Sequence, residues 1–142
     1  MKEIHSEINI NATPMDVWEV LIDFERYPSW NPFIQKISGH KALNSRLSIL
    51  IHLPDGMKMT FKPKIIQYIE NTELRWKGKL LINGLFHGEH YFLIRMNEDY
   101  TTHFIQGERF SGLLTDFFLH KTIARSKRGI RMMNKALAAH FQ

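Results

Sequence analysis

His90 and Glu108 are the residues whose types and placement could move a proton. With strand alternation, His90 shares a face with Phe92 and Ile94, and Glu108 shares one with Phe104, Gln106 and Phe110. A histidine and a carboxylate on apolar faces suit acid–base chemistry, because burial raises a carboxylic acid's pKa towards neutrality and favours the neutral imidazole. A plainer reading stands beside it: Glu108 pairs with a basic neighbour, and His90 bonds a backbone group. Arg95 and Arg109 fall on the opposite faces, where solvent is expected.

Other chemistries are poorly supplied. The chain has no cysteine, which removes disulfides, thiolate metal sites and thiol nucleophiles. Of the eight histidines, His87 and His90 are three apart on a strand and so point to opposite faces. His5, His40, His52, His103, His120 and His140 are scattered, with no pair at helical ligand spacing and no His-Glu-x-x-His pattern. No metal site is expected. Ser111-Gly112 lacks the preceding glycine of a nucleophile elbow. Asn83-Gly84 and His87-Gly88 form no phosphate-cradling loop, and no cofactor is implied.

The elements that must hold these residues follow from periodicity. Lys2 to Ile10 alternates as a half-buried strand. Thr13 is a natural N-cap, Pro14 suits the first helical position, and Asp16 complements the positive helix end. Val17, Trp18, Val20, Leu21 and Phe24 then make an apolar helical stripe. Pro28 and Pro32 push the residues before them out of the α region, so 27–32 should hold at most one short turn. Strands are expected near 33–40, 45–53, 57–68, 73–81, 86–96 and 101–110, with turns at Pro54-Asp55-Gly56 and Asn97-Glu98-Asp99. Such short connections make them antiparallel neighbours. From about Gly112, Leu119, Ile123, Ser126, Ile130, Met133 and Leu137 recur on one face of a helix. About 25 residues of it would span roughly 38 Å. Gly129 inside it costs about 1 kcal/mol relative to alanine, a concession to packing or an incident of sequence.

A chain of 142 residues fits one domain, 1–142, and no repeat or linker divides it. Residues 1–110 hold equal numbers of acidic and basic side chains. The net charge of +5 therefore lies wholly in 111–142, where six basic residues face Asp116 alone. Lys121, Arg125, Arg128 and Lys135 form one exposed stripe, with Lys127 and Arg131 beside it. The stripe reads as a solvated helix face, or as a dock for an acidic protein or other anionic surface. Nucleic acid is disfavoured, because no aromatic side chains interleave the basic ones. Met1 to Glu7 carries acidic residues where a signal peptide needs an apolar run. No stretch approaches the roughly 20 apolar residues of a membrane span. A soluble, cytoplasmic protein is expected.

Several segments carry a family likeness. Ile8-Asn9-Ile10-Asn11-Ala12-Thr13-Pro14 leads to Val17-Trp18-Glu19-Val20-Leu21, then Asp23-Phe24-Glu25-Arg26-Tyr27-Pro28-Ser29-Trp30-Asn31-Pro32-Phe33-Ile34. Gly88-Glu89-His90-Tyr91-Phe92 and Glu108-Arg109-Phe110-Ser111-Gly112-Leu113-Leu114 follow later. With the element order, these resemble the START-like SRPBCC superfamily, nearest its polyketide-cyclase/dehydrase-like branch. The resemblance implies an α+β helix-grip fold. In it, a seven-stranded curved antiparallel sheet wraps a long C-terminal helix, with one or two short helices between strands 1 and 2. It also implies an apolar cavity for lipids, polyketides, sterols or similar ligands. Only some members are enzymes, and no universal catalytic residue transfers.

In a closed core Trp18, Trp30, Trp76, Phe92, Phe104, Phe110, Phe117, Met132 and Met133 would simply pack. In a gripped cavity the candidate lining is Trp30, Trp76, Phe92, Phe104, Phe110, Phe117 and Met133. Trp76 shares a face with Leu74, and Trp30 sits in the Pro-flanked loop expected to close one end. Three readings result: a binder of apolar small molecules, a cyclase, dehydratase or hydrolase using His90 and Glu108, and an interaction protein docking through its basic helix.

Overall fold

The computed structural model describes residues 2–79, 87–112 and 115–142, with side chains in the last stretch from residue 123 onward. Strand β1 (Lys2–Ile10) leads into helix α1 (Pro14–Ile22), where Thr13 caps the first turn by accepting the Asp16 N–H at 3.3 Å. Asp23, at φ −81° and ψ 71°, ends α1 one residue before Phe24. Phe24 therefore falls in a 3-10 turn (Phe24–Arg26) rather than in the helix. One further turn, α2 (Tyr27–Trp30), completes the connection.

The proline rule holds at one site and yields at the other. Asn31, before Pro32, is extended at φ −89° and ψ 113°. Its side-chain oxygen accepts the N–H groups of Phe33 and Ile34, which launches strand β2 (Ile34–Ser38). Tyr27, before Pro28, stays helical at φ −52° and ψ −41°. Full burial and a hydrogen bond from its hydroxyl to the Leu21 carbonyl outweigh the proline's local preference.

The remaining strands are β3 (Ser48–His52), β4 (Lys58–Phe61), β5 (Lys64–Ile69), β6 (Glu73–Lys79), β7 (His87–Met96) and β8 (Thr102–Ser111). Expected strand residues 80, 81 and 86 lie outside the described residues. The expected run 57–68 is two strands, so eight strands rather than seven are present among the described residues. Pro63 makes the break, since it has no N–H to give to a ladder. Its carbonyl instead accepts the Leu47 N–H at 2.8 Å. Gly78 leaves room for it: a Cβ there would stand 2.8 Å from the Pro63 Cα.

The strands hydrogen-bond as β2-β3-β4 and as β1-β8-β7-β6-β5, every neighbour antiparallel. A bridge from Arg46 to Lys64 and the Ile65 N–H to Ser45 bond join the two at the Pro63 corner. Helix α3 (Thr115–Ala139) lies along β1 and β8 on the inner face. Ser126, Ile130, Met133 and Leu137 are buried there as the helical spacing requires, while Leu119 lies outside the described side chains. Gly129 is a packing concession: a Cβ would stand 2.1 Å from the Phe33 ring. This is a helix-grip architecture, a curved antiparallel sheet closed by its terminal helix.

Candidate functional site

Antiparallel register sets the inner face in rows. Trp76, His90, Glu108 and Ile4 stand side by side across β6, β7, β8 and β1. Leu74, Phe92, Gln106 and Ser6 form the next row. Trp76, Phe92, Phe104, Phe110 and Met133 are all buried. The Trp76 ring stacks on His90 with centroids 5.4 Å apart at 21°, and Phe92 meets both rings. Phe33, admitted by Gly129, approaches His90 from the helix side.

His90 and Glu108 are brought together. They are 3% and 4% exposed, and His90 Nδ1 lies 3.6 Å from Glu108 Oε2. His90 bonds a side chain, Gln106, rather than the backbone. The Gln106 amide donates to Asn134 Oδ1 at 2.8 Å, and Asn134 donates to the Ser6 carbonyl at 3.3 Å. That carbonyl can only accept, so it orients both amides in turn. Gln106 Oε1 is then the acceptor facing His90 Nε2 at 2.8 Å, which places a proton on Nε2. Nδ1 is left to face Glu108 across 3.6 Å, close enough for electrostatic contact but too far for a direct hydrogen bond.

Two buried indoles break the pattern of satisfied groups. Among the described residues Trp76 Nε1 and Trp30 Nε1 have no hydrogen-bond partner, a state shared by Asn31 Nδ2 and Asn71 Oδ1. Trp30 is separate from the His90 row. It packs on Tyr27 and lines a surface hollow of about 250 Å³ with Glu19, Asp23, Arg26 and His140. The side chains of Phe117 and Lys121 lie outside the described residues.

On α3, Arg128, Arg131 and Lys135 are exposed. Arg125 is not free for a partner, because its Nε pairs with Asp55 at 2.9 Å and ties the helix to the β3–β4 turn. Arg109 is on the outer face, as expected. It is half-exposed but ion-paired, its Nε 3.1 Å from Glu3. Among the described residues, no three His, Asp or Glu are grouped to hold a metal ion. Among the same residues no helix is long and apolar enough to cross a membrane.

Asn134 was missed in the sequence. Its signal was present, since it lies four residues after the core Ile130 and three before the core Leu137. A lone asparagine on that stripe gives no hint of its partner. The Gln106 contact depends on how α3 sits over β8.

The fold is that of a helix-grip protein, with a buried polar row beneath its terminal helix. The chain matches the family described as polyketide cyclase / dehydrase and lipid transport over residues 1–142, and it belongs to that family. No curated protein matches it. Among solved structures it is similar to a START superfamily protein from Mycobacterium smegmatis, at 18% identity and TM-score 0.74 over 98% of this chain and 96% of that one. It is similar also to the Zhui aromatase/cyclase of a Streptomyces species, at 13% identity and TM-score 0.78 over 98% and 92%. A third is the major latex-like protein 151 of Panax ginseng, at 14% identity and TM-score 0.73 over 99% and 97%. These likenesses are of fold.

Proposed function

We propose that the protein binds an apolar or amphipathic small molecule, such as a lipid, isoprenoid or polyketide-like aromatic, between its sheet and α3. One observation carries this reading. Trp76 presents a buried N–H with no partner, beside a row in which His90, Gln106 and Asn134 are bonded. An unmet buried donor costs about 1–3 kcal/mol, and native structures rarely keep one without a reason. A ligand with an apolar body and an acceptor oxygen supplies that reason. Trp76, Phe92, Phe104, Phe110 and Met133 give it apolar walls with few polar anchors. The family's description, which joins cyclase and dehydrase activity to lipid transport, agrees with such an occupant. Carrying or sequestering the molecule would need nothing more.

An acid–base enzyme is the second reading, favoured by the buried His90–Glu108 pair. The faces of the imidazole are covered by Trp76 and Phe92, and its Nε2 is committed to Gln106. Glu108 is then the group that would meet a substrate, with His90 as its proton partner.

One preparation tests both. Native mass spectrometry of freshly purified protein, with solvent extraction, should show one apolar molecule per chain. Trp76→Phe keeps a ring and removes the donor, so affinity for an acceptor-bearing ligand should fall roughly three- to ten-fold. A stripped protein that takes up no fatty-acyl, isoprenoid or aromatic compound would sink the binding reading. For the enzyme, the extracted molecule should change mass on incubation with the parent and stay unchanged with Glu108→Gln. Equal conversion by both removes Glu108 from the chemistry.

A further inference from the structure

A second cationic surface lies on the sheet edge. Strand β5 ends the five-stranded sheet, and beside β6 it borders an open groove of about 540 Å³. Arg46, Lys62, Lys64, Lys77 and Lys79 line it, all exposed, with Ile66 among them and no carboxylate. None of the five has an acidic partner among the described residues. Glu89, opposite Lys77 on β7, is held by Arg75 at 2.7 Å. Arg46 is fixed on the Lys62 carbonyl at 2.9 Å.

This arrangement works against the fold's own stability. Lys64 and Lys77 are direct cross-strand partners, and like charges so placed destabilise a sheet. Lysine on an edge strand has a use, since it blocks edge-to-edge association. That accounts for Lys64. It does not account for Lys77, which pairs with Lys64 on one side and Glu89 on the other, while Lys79 continues the same cationic run past the end of β5.

We propose that this groove docks the protein on a membrane surface of anionic phospholipid headgroups. A site for one small anion would be built from buried polar anchors; here every cation is exposed. Nucleic acid would want several aromatic rings for stacking, and of the lining residues His87 alone carries a ring. Four exposed lysines beside the anchored Arg46 fit a layer of spread negative charge. Docking does not depend on what the interior binds, so the two proposals fail separately.

Flotation of the full chain with vesicles tests it. Binding is expected to vesicles containing phosphatidylserine, not to phosphatidylcholine alone, and should weaken as salt rises. Changing Lys62, Lys64, Lys77 and Lys79 to Gln should lower affinity about five-fold per charge, more than about a hundred-fold in all. Circular dichroism checks that this variant folds. Should it not, Lys77→Gln with Lys79→Gln is expected to lose about twenty-five-fold. A control with Arg128, Arg131 and Lys135 changed to Gln should bind as the parent does. Equal binding by parent and groove variant overturns the proposal, as does loss confined to the helix control. So does a groove that retains RNA or inorganic pyrophosphate while ignoring anionic vesicles.

Discussion

Tyr91 lies over Gly107 on the outer face of the sheet, where a Cβ would stand 2.3 Å from the phenol ring. Its hydroxyl donates to Glu3 at 2.8 Å, and the Arg75 guanidinium sits 4.7 Å above the ring. Burial, then the bond to Glu3, pushes the phenol up to about 12 from an ordinary 10.0. The same bond, then Arg109, holds Glu3 below its ordinary 4.5. The signs differ. The raised Tyr91 contributes stability that is complete below pH 10.0 and lost as pH climbs towards about 12. The lowered Glu3 contributes stability that is complete above pH 4.5 and lost as pH falls below it. Tyr91→Phe should therefore flatten both limbs of the stability–pH curve and leave the neutral region least curved. Denaturation midpoints across those ranges check this, and parallel curves for variant and parent would reject the linkage. At this scale the sequence told half the story. Strand alternation put His90 and Glu108 inward and Arg109 outward. It could not show that His90 and Glu108 are opposite one another, nor that Glu3 waits across from Arg109, because cross-strand register is a long-range property.

Elements were more legible than contacts, because capping and periodicity act within a few residues. The Thr13 cap, the turn at Pro54-Asp55-Gly56 and the 25 residues of α3 follow from local signals. Pro63, flanked by Lys62 and Lys64, was an available signal too, and the reading of 57–68 as one strand passes over it. Gly129 shows where local rules stop. Helix propensity alone says that alanine would gain about 1 kcal/mol there. The Phe33 ring, 2.1 Å from the would-be Cβ, says the reverse. Overpacking of a close core typically costs about 1–3 kcal/mol, so Gly129→Ala should be destabilising overall. It should also shift Phe33 towards His90 and weaken binding of any ligand in the row. Chemical denaturation gives the first result and ligand titration the second. A stabilised variant would mean that α3 stands farther from Phe33 than described.

Over the whole molecule, the first strand and the last two elements depend on one another. Strand β1 pairs with β8 along its entire length, from Lys2 opposite Phe110 to Ile10 opposite Thr102. Helix α3 covers both strands, and Asn134 links it to Ser6 on β1 and Gln106 on β8. The smaller sheet has no core of its own. Phe33 is seated against Gly129 of α3, Arg125 holds the β3–β4 turn to that helix, and Pro63 packs on Gly78 of the larger sheet. We infer that 1–142 is one domain that unfolds as a unit. Denaturant curves should then coincide when followed by far-ultraviolet dichroism, which reports strands and helix, and by tryptophan fluorescence. The three tryptophans sample α1, α2 and β6, so fluorescence sees both ends of the fold. Arg125→Ala should move both curves together by the same small amount, since a partly exposed ion pair is worth about 0–1 kcal/mol. Separated transitions, or a shift in one probe alone, would divide β2–β4 from the rest and reject the single domain.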